Sequence, residues 1–187
     1  MSPDRPRSLE AQVEPLDGPL PVINWRWDPE TDILSGAFRR EDIEQTGFHG
    51  MIELTNPGGA VIVLDLGRGV LGGLDVVVWP EVVARPDLVP PAAGLDGQIM
   101  LPVRAPQRGP ESREVETPIS VAANPRQTMF HISLGDATTP GSPADRIIRV
   151  AERFLVELDS MQRLIGFWLL EVEAFPLELE PDDPYLA

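Results

Sequence analysis

The sequence predicts a mainly β fold: a tandem pseudo-twofold repeat of two-hairpin β units, forming one sandwich or paired small sheets, with extended Pro-rich arms. Three observations predict it. Apolar residues alternate with polar ones over short runs bounded by Asp-Pro, Gly and Asn, a pattern of strands and turns with little room for helix. Twenty-one prolines and sixteen glycines punctuate 187 residues, which breaks long helices. Two apolar blocks, residues 22–84 and 119–175, repeat one ordered set of motifs, the mark of an internal duplication.

Residues 1–21 carry five prolines and read as an extended arm. In the first unit, Ile23, Trp25 and Trp27 alternate with Asn24 and Arg26, Asp28-Pro29-Glu30-Thr31-Asp32 supplies a turn, and Ile33 to Phe38 returns as a hairpin. Residues 41–48 read as a helical turn and Met51 to Thr55 as an extra strand. Ala60 to Leu66, a turn at Gly67-Arg68-Gly69 and a strand from Val70 to Trp79 make a second hairpin. Residues 85–118 form a Pro-rich linker with one strand at Gln98 to Val103.

The second unit, 119–175, repeats the first. Ile119 falls on Ile23, Asn124-Pro125 on Asp28-Pro29 and Met129-Phe130 on Ile33-Leu34, all at a spacing of 96. Leu155 to Asp159 falls on Val61 to Asp65, and Leu164-Ile165-Gly166 on Val70-Leu71-Gly72, at 94. Ile147 to Ala151 is an extra strand, with 144–153 alternatively helical, and Leu164 to Phe175 is the closing strand. Val76 to Trp79 and Ile165 to Leu170 are apolar at both parities, so both faces need cover, from the other copy, an arm or another protein. Residues 176–187 form an acidic tail.

The formal charge is −15, with fifteen Arg and no Lys, which disfavours duplex nucleic acid and anionic membrane surfaces. With no cysteine there is no disulfide, thiolate metal site or cysteine nucleophile. Residues 1–18 show no apolar h-region, and the expectation is a cytoplasmic protein, peripheral at a membrane only through a partner. The most apolar stretches are broken by Asp65, Arg68 and Asp75, and by Glu157, Asp159 and Arg163, so no transmembrane segment is expected.

Trp27-Asp28-Pro29-Glu30-Thr31-Asp32-Ile33-Leu34, followed by Leu64-Asp65, Gly69 and Gly72-Gly73-Leu74-Asp75-Val76-Val77, resembles a family of short uncharacterised bacterial β-rich domains. That family reads Tyr-Asp-x-x-x-Asp-x-Leu-Tyr-Ile and then Leu-Asp-x-x-Gly-x-x-x-Gly-Ile-Glu-Ile-Leu. The second copy has Asn124 and Thr128 for the two acids, and Trp168 where the acid of Gly-x-Glu falls. The resemblance implies a small β-rich domain and no particular activity.

Asp28, Asp32, Asp65, Asp75 and His49 are the residues that could converge on a divalent metal or an acid–base site. The turn reading outweighs it: Asp28 and Asp32 share a turn and Asp65 ends a strand just before Gly67, again a turn position, and Asx side chains at such positions bond local backbone N–H groups. His49 and His131 fall at non-equivalent places and lack ligand spacing. The serines read as loop residues beside Pro, Gly or Arg, without a Gly-x-Ser-x-Gly elbow. Gly67-Arg68-Gly69 and Gly72-Gly73 lack the Lys and following helix of a phosphate loop. No catalytic residue, cofactor or metal ligand is assigned, and the chain reads as no enzyme.

The leading expectation is a structural or protein-interaction subunit of a hetero-oligomeric assembly, attached through apolar strands and arms. A peripheral subunit of a photosynthetic or respiratory membrane complex is one example. Its interface residues would be Trp25, Trp27, Val77, Trp79, Phe167, Trp168 and Leu169. Two alternatives stand beside it. One is a small-ligand or metal-binding β module with a pocket lined by Trp25, Trp27, Asp32 and Asp75. The other is an acidic inhibitor or immunity-type protein that blocks a basic site.

Overall fold

A computed structural model of the chain describes residues 9–38, 49–102, 112–135 and 144–173. Within them every regular element is a strand. In chain order these are β1 (Gln12–Pro15), β2 (Asn24–Asp28), β3 (Ile33–Ala37), β4 (His49–Thr55), β5 (Val61–Gly67), β6 (Val70–Val78) and β7 (Val82–Ala84). They continue as β8 (Leu95–Met100), β9 (Ser112–Glu116), β10 (Ile119–Ala123), β11 (Phe130–Leu134), β12 (Arg146–Ala151), β13 (Phe154–Leu158) and β14 (Leu164–Leu169). Among the described residues no helix is long and apolar enough to cross a membrane.

The strands form one curled mixed sheet, in which two five-strand blocks share a connectivity. The first runs β2-β3-β6-β5-β4 and the second β10-β11-β14-β13-β12, with every neighbour antiparallel. The opening hairpins also share a register: Trp27 faces Leu34 as Ala123 faces Phe130. Local chemistry sets their turns. Asp28 accepts hydrogen bonds from the Glu30 N–H at 3.0 Å and the Thr31 hydroxyl at 2.6 Å. Asn124 accepts from the N–H groups of Thr128 and Met129, so the Asx-turn reading holds at Asp28 and the same chemistry recurs at Asn124.

The closing hairpins differ. Arg68 and Gly69, both at positive φ (52° and 81°), make a two-residue turn between Gly67 and Val70, the type I′ geometry that suits strand twist. In the second block Leu158 pairs with Leu164 across a longer turn. There buried Asp159 accepts from the Met161 and Arg163 N–H groups and the Arg163 guanidinium. The register therefore departs from the sequence spacing of 94. Asp65 faces Gly73 and Glu157 faces Gly166, so the residue equivalent to Asp65 in the second block is Glu157, and Asp159 belongs to the turn.

The linker and arm contribute strands of their own. β1 pairs with β8, and Leu9 and Ala11 are buried, with Leu164 N–H donating to the Leu9 carbonyl and Ala11 N–H to that of Gln162. β8 begins before the expected Gln98 and lies parallel to β12, β9 lies parallel to β4, and β7 parallel to β10. β14 stops at Leu169, short of the expected Phe175, because Leu170 N–H turns to the Arg153 carbonyl and Val172 N–H to that of Thr128. Ile147 to Ala151 is a strand and not a helix. Ser35, Ser120 and Ser133 lie on strands and not in loops. The expected helical turn at 41–48 and the acidic tail 176–187 lie outside the described residues.

The blocks pack core face to core face. Phe154 of the second block meets Trp25 edge-on at 5.4 Å and Phe38 at 6.2 Å. Phe130 meets Trp27 and Trp79 at 6.2 and 5.2 Å. Such pairs add about 0.5–1.5 kcal/mol each beyond area burial. Side chains from both blocks belong to one buried cluster.

Candidate functional site

Each block turns one sheet face inward and one outward, and the outward faces hold the polar chemistry. Strand pairing sets the same row of positions on each. On the first block the row runs Arg26, Ser35, Asp75, Val63, Glu53, Glu114 across β2, β3, β6, β5, β4 and β9. On the second it runs Ala122, His131, Trp168, Leu155, Arg149, Asp96 across β10, β11, β14, β13, β12 and β8. Side chains directly opposite across a ladder interact, so each row is a chain of contacts.

The second block closes its row on itself. Glu157, beside the row, lies 3.0 Å from His131 Nε2 through one oxygen and accepts from the Trp168 indole N–H at 2.7 Å through the other. The imidazole stacks on Trp168 at 4.2 Å between centroids, 17° from parallel. Gly166, directly opposite Glu157, makes the room: a Cβ there would fall 2.5 Å from the carboxylate and 2.8 Å from the Ile132 carbonyl oxygen. Burial pushes the Glu157 carboxyl up, but the His131 and Trp168 hydrogen bonds and the imidazole charge outweigh it, and it stays below the ordinary glutamate range. Farther along, Arg149 grips Asp96 through two hydrogen bonds of 2.8 and 2.9 Å.

The first block sets carboxylates along its row with hydroxyl donors beside them, Ser35 to Asp75 and Thr55 to Glu114 at 3.2 Å. Glu53 faces Glu114 where the second block has Arg149 facing Asp96. Asp75 takes the position of Trp168, and Asp65 that of Glu157. Burial raises the Asp75 carboxyl, against a hydrogen bond from Ser35, and the negative charge of Asp65 raises it further. Met51, beside Asp65 on the ladder, is 46% exposed, and Val78 is 45% exposed.

The residues expected at an interface divide by position. Trp25, Phe167, Trp168 and Leu169 are buried within the chain, so their cover comes from the chain itself. Trp27, Val77 and Trp79 are half-buried. Trp27 and Trp79 stack at 5.3 Å, with their indole N–H groups donating to the carbonyls of Glu173 and Asp32. The pocket of Trp25, Trp27, Asp32 and Asp75 does not assemble: Trp25 and Trp27 point to the core, whereas Asp75 lies on the outward face with Ser35. Asp28 and Asp32 stay in their turn, Asp65 is a paired strand residue of β5 and not a turn residue, because the reversal is made by Arg68 and Gly69, and His49 opens β4. No group of three or more metal-ligating side chains occurs among the described residues.

The sequence reads His131 as an ordinary strand or loop residue, with nothing to connect it to Glu157. The available signal was a lone carboxylate in an apolar strand, Phe154-Leu155-Val156-Glu157-Leu158, because such a group needs donors. Comparison with family models and with curated proteins finds no match to this chain.

Proposed function

We propose that this chain is a non-catalytic protein-interaction subunit built from two copies of one β unit, and that it binds its partner through an outward sheet face. The observation that carries this reading is the contrast between the faces. The second block uses His131, Glu157, Trp168, Arg149 and Asp96 to satisfy one another. The equivalent positions of the first block place carboxylates beside one another and beside exposed apolar side chains. The duplication is supported by the shared connectivity and by the common register of the opening hairpins.

The test is cross-linking of the full chain in its source cells, followed by reconstitution of the cross-linked partner from purified components. The full chain is required, because Leu9, Ala11 and β1 belong to the fold. A stoichiometric complex that survives gel filtration is the expected outcome. A chain that remains a lone monomer with every cross-linked candidate refutes the reading.

A further inference from the structure

We propose that the outward face of the first block docks a protein segment carrying arginine or lysine side chains around an apolar centre, an inference that rests on the interaction-subunit reading. On this face Asp65, Asp75 and Glu53 surround Met51 and Val63. The ladder pairs Met51 with Asp65, Glu53 with Val63 and Val63 with Asp75. Among the described residues the one base on the first block's row is Arg26, at the far edge on β2.

Two features point to a cationic and partly apolar occupant. First, three carboxylates stand within neighbouring ladder positions, and Asp65 and Asp75 repel one another across them. A guanidinium or ammonium group placed between them removes that repulsion and gains charge-assisted hydrogen bonds. The second block fills the corresponding place with His131 and Trp168, a cation-capable ring and an N–H donor of the chain's own. Second, Met51 is 46% exposed beside Asp65 and Val63 stands between Glu53 and Asp75 on the same face, and an apolar centre within a charged rim is the ordinary anatomy of a protein interface. The patch spans β6, β5 and β4, a width that suits a helix or strand laid across the sheet better than a small molecule. A second copy of this chain is a poor occupant, because its own face brings the same negative charge.

The test uses the full chain, labelled with nitrogen-15, and two probe peptides of equal length and charge. One is an amphipathic arginine–leucine helix and the other an arginine–serine peptide. Amide shifts are expected to cluster at Met51 to Glu53, Val63 to Asp65 and Asp75 with the first peptide, with affinity weaker by about tenfold or more for the second. Glu53→Arg with Asp65→Arg, checked for folding by its own amide spectrum, should lose binding by more than about tenfold. Glu30→Arg with Glu81→Arg, two exposed positions elsewhere with the same change in net charge, should alter it by less than about twofold. Shifts that map to Ala122 and Ser133, or an equal loss in both double variants, overturn this proposal and leave the broader interaction reading standing. Concentration-dependent dimerisation through Met51 and Glu53 in sedimentation likewise overturns it, in favour of a second copy as occupant.

Discussion

The two outward faces occupy equivalent places on equivalent strands, yet one pairs its charges with one another and the other sets carboxylates side by side. Ser35 stands where His131 stands, Asp75 where Trp168 stands and Asp65 where Glu157 stands, with Gly73 matching Gly166 beneath them. Backbone pairing is therefore common to both, and side-chain choice decides what each face does. On the second, a nearly buried carboxylate is tolerated because two donors reach it, which offsets the desolvation of the charge. On the first, the carboxylates stay closer to water and face one another. One scaffold thus yields a face whose charged groups satisfy one another and a face whose carboxylates stand side by side.

The largest expected effect tests whether the two blocks share one core. Phe154→Ala removes contacts to Trp25 and Phe38 of the first block and to Phe167 of its own. It should cost about 3–5 kcal/mol in a single urea transition followed by tryptophan fluorescence. Two separated transitions would mean that the blocks unfold independently.

Next comes the contrast between the faces. His131→Ala leaves the Glu157 charge with the Trp168 donor alone and should lower stability by about 2–3 kcal/mol at neutral pH. Ser35→Ala should cost less than about 1 kcal/mol. Equal losses in urea denaturation would erase the asymmetry.

Acidity sharpens the same comparison with opposite signs. Glu157 is held low in the folded chain, so its stabilisation is present above its unfolded value and is lost as pH falls through its folded value. Asp75 is raised, so its contribution favours folding below its unfolded value and is lost as pH rises through its folded one. Asp75→Asn should therefore stabilise the chain at neutral pH, by no more than about 1 kcal/mol for a half-exposed group. Carbon-13 titration of the two carboxyls should place Glu157 below and Asp75 above their ordinary ranges, and shifts in the same direction would contradict the assignment.

The smallest effect concerns the row ends. Arg149→Ala, which frees Asp96, should cost about 0.5 kcal/mol, while Glu53→Ala, which relieves the pairing with Glu114, should gain a few tenths. Added salt should shrink both differences, and salt-independent values would remove the electrostatic account.

Much of the fold was legible in the chain. The alternation at Trp25 and Trp27, the Asp28 and Asn124 turns and the Arg68-Gly69 reversal all act within a few residues, and the strands follow from them. The candidate site was less legible. Glu157 and His131 are 26 residues apart and meet only because β14 lies between their strands. Likewise the Leu-Asp match between Leu64-Asp65 and Leu158-Asp159 concealed the longer second turn, which sets Glu157 in the place of Asp65.

What the sequence by itself determined is most strands of the two blocks, most of their turns, and the shared parity of Ile23, Trp25 and Trp27. These follow from φ/ψ preference and apolar alternation, which are local. Tertiary structure decided which surface covers the doubly apolar strand β14, where the Pro-rich segments pair, and which of two equivalent faces neutralises its own charge. Those outcomes depend on register between strands far apart in the chain, where one bulge or one longer turn reassigns every neighbour.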